Sequence, residues 1–426
     1  MTALVLFGML GLLFACNAPI MLAVGASAFA ALLIKGGMDL MVAVQRLYAG
    51  ADSFPLLAVP LFMTAGQLMS AGGISQRIVR LADTLVGHLP GGLAVVSVVS
   101  SMFFAGVSGS AAADTAAVGS ILIPSMVARG YSPAFAGAVQ AAAGSIGVVI
   151  PPSIPMIVFG ALTGASIGKL FAGGVMPGLL MGITLSAWCV HEGLRSGRET
   201  RRFEPAAVWP ALLRAGWSLG APAIILGGII SGVCTATEAA AVAVVYAFLV
   251  GLFAHRELDL RRLPALLLDA AVTSGVVMSI IAAASLFGWV MAIERIPAAL
   301  ADAILAVGGE GWMLLLAVNI LLLLAGTMLE TTAALILLVP VLVQLLPRMG
   351  IDLIHLGVIV VMNLSIGMLT PPLGVCLMVS CGIARVPLAT LARAVLPLLA
   401  VLVVDLMLVT YIPWFVAAFS TDIIAP

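Results

Sequence analysis

The chain has 426 residues, 63% of them apolar and 8% charged, with eighteen basic and eighteen acidic side chains. Soluble domains carry about a quarter charged residues, so this composition excludes an ordinary soluble protein, a disordered one and a nucleic-acid binder with a basic face. What remains is a polytopic membrane protein, in which Cys16, Cys189, Cys234, Cys376 and Cys381 are too scattered to define a disulfide framework.

A helix crossing the bilayer core needs roughly 20 mostly apolar residues. Runs of that length recur along the chain, and the short alternating segments of a barrel are absent. The first 34 residues read as one retained, long or tilted span. Further spans are expected at 54–71, 133–162, 170–190, 219–231, 239–254, 270–292, 353–383 and 394–419. Two stretches, 91–127 and 311–346, are interrupted by small polar residues and read as helical hairpins with tips at membrane depth. Segments 39–50, 74–87, 260–269 and 296–307 mix charged and apolar residues and suit the interface.

Arg195, Arg198, Arg201 and Arg202 form one basic loop, and His255, Arg256, Arg261 and Arg262 form another two spans later. With both on the cytoplasmic side, thirteen of the eighteen Lys and Arg fall inside. Lys35, Arg46, Lys169, Arg295 and Arg348 fall outside. This parity places the N-terminus in the cytoplasm and the C-terminus outside.

Shifting the sequence by 220 residues superposes Ala105-Gly106 on Ala325-Gly326 and Ser145-Ile146-Gly147 on Ser365-Ile366-Gly367. It also superposes Pro151-Pro152 on Pro371-Pro372. An odd number of spans separates the two units, so they are inverted repeats, an arrangement typical of secondary transporters with sites near the midplane. Each unit has a hairpin followed by a helix broken at Gly-x-x-x-Pro-Pro. Paired prolines remove two donors and free carbonyl oxygens, which in lipid need partners. Either a neighbouring helix satisfies them or a desolvated sodium ion does, since hard cations take carbonyl and hydroxyl oxygens.

The first tip runs from Gly106 through Ser108, Gly109 and Ser110 to Asp114 and Thr115; the second runs from Gly326 through Glu330 to Thr332. Asp114 and Glu330 follow the tips and are candidates for capping or for ligation. Glu238 is a third acid at apparent membrane depth, with a functional or a packing role. Gly106-Val107-Ser108-Gly109 also matches the Gly-x-Ser-Gly pattern of intramembrane serine proteases. Nucleophilic chemistry requires a histidine beside Ser108, but His88, His191, His255 and His355 all map to loops or span ends. No nucleotide or phosphate-loop motif is present.

The run Gly106 to Ser110, Ala113 to Ser120, Ile123-Pro124, Ile150 to Pro155, Thr237 to Ala241 and Thr370-Pro371-Pro372 resembles the signature of the large membrane subunits of TRAP (tripartite ATP-independent periplasmic) transporters. The resemblance extends from about Leu12 to the last span; Cys16-Asn17 departs from the family's usual glycine. It implies an all-α fold of inverted repeats, each with a re-entrant hairpin and a broken helix, divided into an elevator-type scaffold and a transport domain. The division expected is 1–90 for N-terminal scaffold, 91–190 for the first transport repeat, 191–310 for central scaffold, 311–390 for the second transport repeat and 391–426 for the C-terminal span.

The resemblance further implies a multi-pass protein of the bacterial inner membrane, not an enzyme, importing an organic acid such as a sialic acid or a C4-dicarboxylate. Its implied partners are a small four-helix membrane subunit, which no terminal segment here encodes, and a periplasmic substrate-binding protein. One sodium ion is implied among Ser108, Ser110, Gly147, Val149 and Pro151, a second among Gly326, Gly367 and Thr370. Substrate is expected at Ser110 and Asp114. A stand-alone sodium/carboxylate symporter is the alternative.

Overall fold

A chain in lipid must satisfy its main-chain hydrogen bonds internally, and this sequence does so with helices. The computed structural model describes residues 2–420 except positions 17, 37–38, 198–199, 201, 300–310 and 372–373. Arg198, Arg201, Pro372 and most of the expected interfacial segment 296–307 therefore lie outside the described residues. Among the described residues, nine helices are long and apolar enough to cross a membrane, and shorter apolar helices stand between them.

The chain begins with α1 (Thr2–Ala15) and α2 (Ile20–Lys35), which pack against each other. The single first span expected from the sequence is thus corrected to a pair of helices. Pro19 has no N–H to continue a helix, and Ala18 N donates back to Leu13 O at 2.9 Å. Both are shorter apolar helices, outside the nine long enough to cross a membrane.

Helix α3 (Leu40–Ala51) is capped by Asp39, whose carboxylate accepts from Met41 N at 2.9 Å. A tight turn at Phe54–Leu57 leads into α4 (Ala58–Ala71), followed by α5 (Ile74–Val86). The first hairpin is α6 (Gly92–Ser108) and α7 (Ala111–Ala128). The first broken helix is α8 (Pro133–Ser145), a tight turn at Ile146–Val148, and α9 (Ile154–Thr163). Then come α10 (Ile167–Arg195), α11 (Pro205–Ile230), α12 (Ala236–Leu249) and α13 (Leu263–Ile293). Segment 260–269, expected at the interface, is mostly the first turns of α13, with Pro264 at the start where its missing N–H costs nothing.

The second hairpin is α14 (Gly311–Met328) and α15 (Thr331–Met349), and its broken helix is α16 (Leu353–Gly367) and α17 (Val375–Ala384). Helices α18 (Leu388–Tyr411) and α19 (Trp414–Ser420) complete the described chain. The two units interlock. Helix α9 of the first packs on α15 of the second, while α17 of the second packs on α7 and α8 of the first. Helices α4, α12 and α13 flank this assembly: α4 packs on α6, α12 on α4, and α13 on α4 and α15.

Candidate functional site

Helix α6 ends because Gly109 adopts φ +63°, a left-handed conformation that glycine reaches without Cβ strain. That reversal brings the start of α7 back against the end of α6. Ser110 takes the extended N-cap position of α7, yet its side chain caps nothing. Its main-chain N–H donates to Ser108 Oγ at 3.2 Å, and Ser108 Oγ in turn donates to Asp114 Oδ1. Asp114 is wholly buried one turn into α7, and its second oxygen has no hydrogen-bond partner among the described residues. That side of the carboxylate meets Gly147, where an added Cβ would overlap Oδ2.

The broken helix completes this corner. Ser153 Oγ donates to Val148 O at 2.5 Å while accepting from Met156 N at 3.3 Å, so it closes the break and starts α9. Ile154 N donates to Gly109 O at 3.3 Å, tying the break to the hairpin tip. The Pro151 carbonyl lies 3.9 Å from where a Cβ on Gly106 would stand. Of the residues expected around the first sodium, Ser108, Ser110, Gly147 and Pro151 therefore converge on the tip. The Val149 carbonyl lies instead against Gly174 of α10, 2.6 Å from a Cβ built there.

A cavity of about 330 Å³ opens on the other side of this tip. Ser108 and Ser110 line it, together with Met63, Gln67 and Ser70 of α4 and Thr273 of α13. Asp114, expected from the sequence to touch substrate, does not line it. The carboxylate stands behind the tip, with Ser108 and Gly147. Sequence reasoning did not single out Gln67, Ser70 or Thr273. The available signal was the stripe Met63, Gln67, Ser70 on one face of α4.

The second tip is built differently. Glu330 is the N-cap of α15: Oε2 accepts from Thr332 N at 2.9 Å and Ala333 N at 3.3 Å, and Oε1 accepts from Thr332 Oγ1 at 3.1 Å. Gly326 and Gly367 touch through their main chains; a Cβ on Gly367 would lie 2.6 Å from Gly326 Cα. Thr370 stays close, its N–H donating to Gly367 O at 2.9 Å and its hydroxyl reaching Ile366 O only at 3.4 Å. Gly326, Gly367 and Thr370 thus gather beside the second break. Glu238 is an exposed capping group, forming a reciprocal box with Thr235 at the start of α12.

Buried polar ties hold each hairpin to its broken helix. Ser97 and Ser101 of α6 meet Gln140 of α8 at 2.5 and 3.3 Å. Asn319 of α14 meets Asn363 of α16 at 2.7 Å and Thr410 of α18 at 3.1 Å. Hydroxyls, main-chain carbonyls and one carboxylate form a hard-oxygen donor set, suited to an alkali cation rather than a soft transition metal.

The sequence matches the family model of the tripartite ATP-independent periplasmic transporter, DctM component, over residues 7–415. The chain belongs to this family. It is 42% identical to the isethionate TRAP transporter permease protein DctMQ of Oleidesulfovibrio alaskensis, over 96% of this chain but 65% of that protein. It is 43% identical to the C4-dicarboxylate TRAP transporter large permease protein DctM of Pseudomonas aeruginosa, over 86% of each chain. The sialic acid TRAP transporter large permease protein SiaM of Vibrio cholerae is 41% identical over 96% of each chain. The crystal structure of the Alcanivorax borkumensis YdaH transporter covers 88% of each chain at a TM-score of 0.62 and 16% identity, which is a likeness of fold. This DctM-family chain is therefore a transporter component and not an enzyme. The Ser108 hydroxyl, part of the Gly-x-Ser-Gly run, donates to Asp114. His355 is buried at the start of α16, with Nε2 2.8 Å from Val409 O.

Proposed function

We propose that this chain is the large permease of a bacterial inner-membrane TRAP importer that couples inward sodium movement to uptake of an organic acid by an elevator mechanism. The observation that carries the proposal is the first tip, where Ser108, Asp114 and Gly147 meet behind a cavity lined by Ser110. Sodium occupies the back of the tip, with Asp114 as its one anionic ligand and Ser108, Ser110 and the carbonyls of Gly147 and Pro151 nearby. A second sodium sits among Gly326, Gly367 and Thr370. The substrate carboxylate takes the cavity side, where the N-terminus of α7 presents uncapped N–H groups and positive dipole. Separating the two anions across the tip lets the cation between them stabilise both.

The relatives named for isethionate, C4-dicarboxylates and sialic acid support a small organic acid as cargo. A small four-helix membrane subunit and a periplasmic binding protein complete the system. The basic loops face the cytoplasm, and the C-terminus lies outside. Two sodium ions with a monoanion carry one net charge inward, which gains about 2.3 kcal/mol per 100 mV of membrane potential. The same two ions with a dianion are electroneutral.

Uptake into proteoliposomes holding this chain and the small subunit tests the proposal. Labelled organic acids are offered with and without external sodium and purified binding protein. Uptake needing both additions is expected. Sodium-driven uptake without the binding protein would establish a stand-alone symporter instead, and sodium-independent uptake would remove the coupling.

A further inference from the structure

The amphipathic helix α5 lies alongside α11, a span that begins on the basic side of the chain. Between them opens a cleft of about 810 Å³ that shares no lining residue with the hairpin-tip cavity, and its lining includes three guanidinium groups, Arg77, Arg80 and Arg214, against one carboxylate, Asp83. Arg77 is already engaged, 2.7 Å from Glu257 and 2.9 Å from Gly73 O. Among the described residues Arg80 and Arg214 have no acidic partner, and both are exposed. His255 adds no fixed charge to the cleft. Burial holds its imidazole below the usual range, and its Nδ1 lies 2.9 Å from Gly72 O.

The apolar side of the cleft identifies the ligand class. Leu213 and Trp217 of α11 line it and are 62% and 58% exposed. Tyr246 of α12 donates to Trp217 O at 2.8 Å, holding α12 against this stretch of α11. Two arginines without an acidic partner beside exposed apolar side chains in one cleft match a molecule with an anionic head and hydrocarbon tails. A soluble anion would use the arginines and leave Leu213 and Trp217 bare. A protein partner would meet two desolvated arginines lacking an acid, which is costly unless it supplies one.

We infer that the α5–α11 cleft binds the headgroup of an anionic phospholipid, with Arg80 and Arg214 on its phosphate and the acyl chains along Leu213 and Trp217. The site tethers α5, and through the Arg77–Glu257 pair the α12–α13 connection, to the membrane surface.

Native mass spectrometry of the permease with its small subunit, delipidated and then titrated with phosphatidylglycerol, phosphatidylcholine or inorganic phosphate, tests the inference. Phosphatidylglycerol retention is expected, with about tenfold or more weaker retention in the Arg80→Gln/Arg214→Gln double variant. An Arg129→Gln/Arg393→Gln variant, which removes as much charge elsewhere, is expected to retain the lipid. Leu213→Glu, which leaves both arginines in place, is expected to weaken retention too, and it serves as the second variant should the double one misfold. Equal retention in the arginine and control variants, equal affinity for phosphatidylcholine, binding of phosphate alone, or occlusion of the cleft by the small subunit would each overturn it.

Discussion

Ser110 and Glu330 stand 220 residues apart at equivalent places in the two units, and both occupy the N-cap of a hairpin's second helix. Glu330 spends its carboxylate on the main-chain N–H groups of its own helix. Ser110 leaves its helix start uncapped, and the acid of the first hairpin sits a turn further on, joined to Ser108 across the tip. The same architectural slot is therefore closed in the second unit and open in the first. An uncapped helix start beside a cavity leaves donors for a ligand, whereas a capped one leaves stability. The duplicated units share a frame while only the first presents donors to the cavity.

Asp114→Asn carries the largest expected effect on this contrast. Hydrogen bonds to charged groups are worth about 1.5–3 kcal/mol, so sodium-driven uptake should fall at least about tenfold. An unchanged sodium activation curve in proteoliposomes would remove Asp114 from the ion site. Gly147→Ala comes next: its methyl overlaps the Asp114 carboxylate, so it should raise the sodium concentration needed for half-maximal uptake. The matching Gly367→Ala presses on the Gly326 main chain and should lower thermal stability by about 1–3 kcal/mol, the usual cost of overpacking. If both variants shift only sodium affinity, the two tips are functionally alike and the contrast fails.

Ser108→Ala and Thr370→Ala should each weaken sodium dependence, the first more strongly, because Ser108 Oγ holds Asp114 whereas Thr370 Oγ1 makes one long contact at 3.4 Å. Sodium titrations of the two variants side by side decide the order. Smallest is Glu330→Gln, which should cost about 1 kcal/mol of stability as a weakened cap and leave sodium activation in place. A lost sodium response in that variant would make Glu330 a ligand rather than a cap.

Much of this frame was legible in the residues. Small polar interruptions at Ser108 to Ser110 and Glu330 to Thr332 announced the hairpins, and the Pro-Pro pairs announced the breaks, because each leaves apolar runs that cannot continue as one helix. The α1–α2 pair was missed because Cys16 to Pro19 interrupts hydropathy too briefly to register, although Pro19 alone forbids a continuous ladder. The start of α13 was missed because Arg261, Arg262 and Asp269 made its first turns look interfacial. Asp114 was recognised as an important acid, but not its place behind the tip. Only the left-handed turn at Gly109 decides that Asp114 faces Ser108 and Gly147 instead of the cavity, and a sequence does not show which way such a turn points a side chain a full helical turn later.

The interlocking of the units has a consequence for how the protein is made. Helix α9 ends at Thr163, yet the α15 surface it packs on begins at Thr331. The first unit therefore leaves the ribosome and enters the bilayer long before its packing partner exists, and α7 and α8 wait in the same way for α17. Neither half can finish folding as a domain during synthesis, as successive soluble domains do. Tertiary assembly here is a late, concerted event among helices already inserted, and a chain truncated before α15 would persist as an inserted but unassembled intermediate, exposed to membrane quality control.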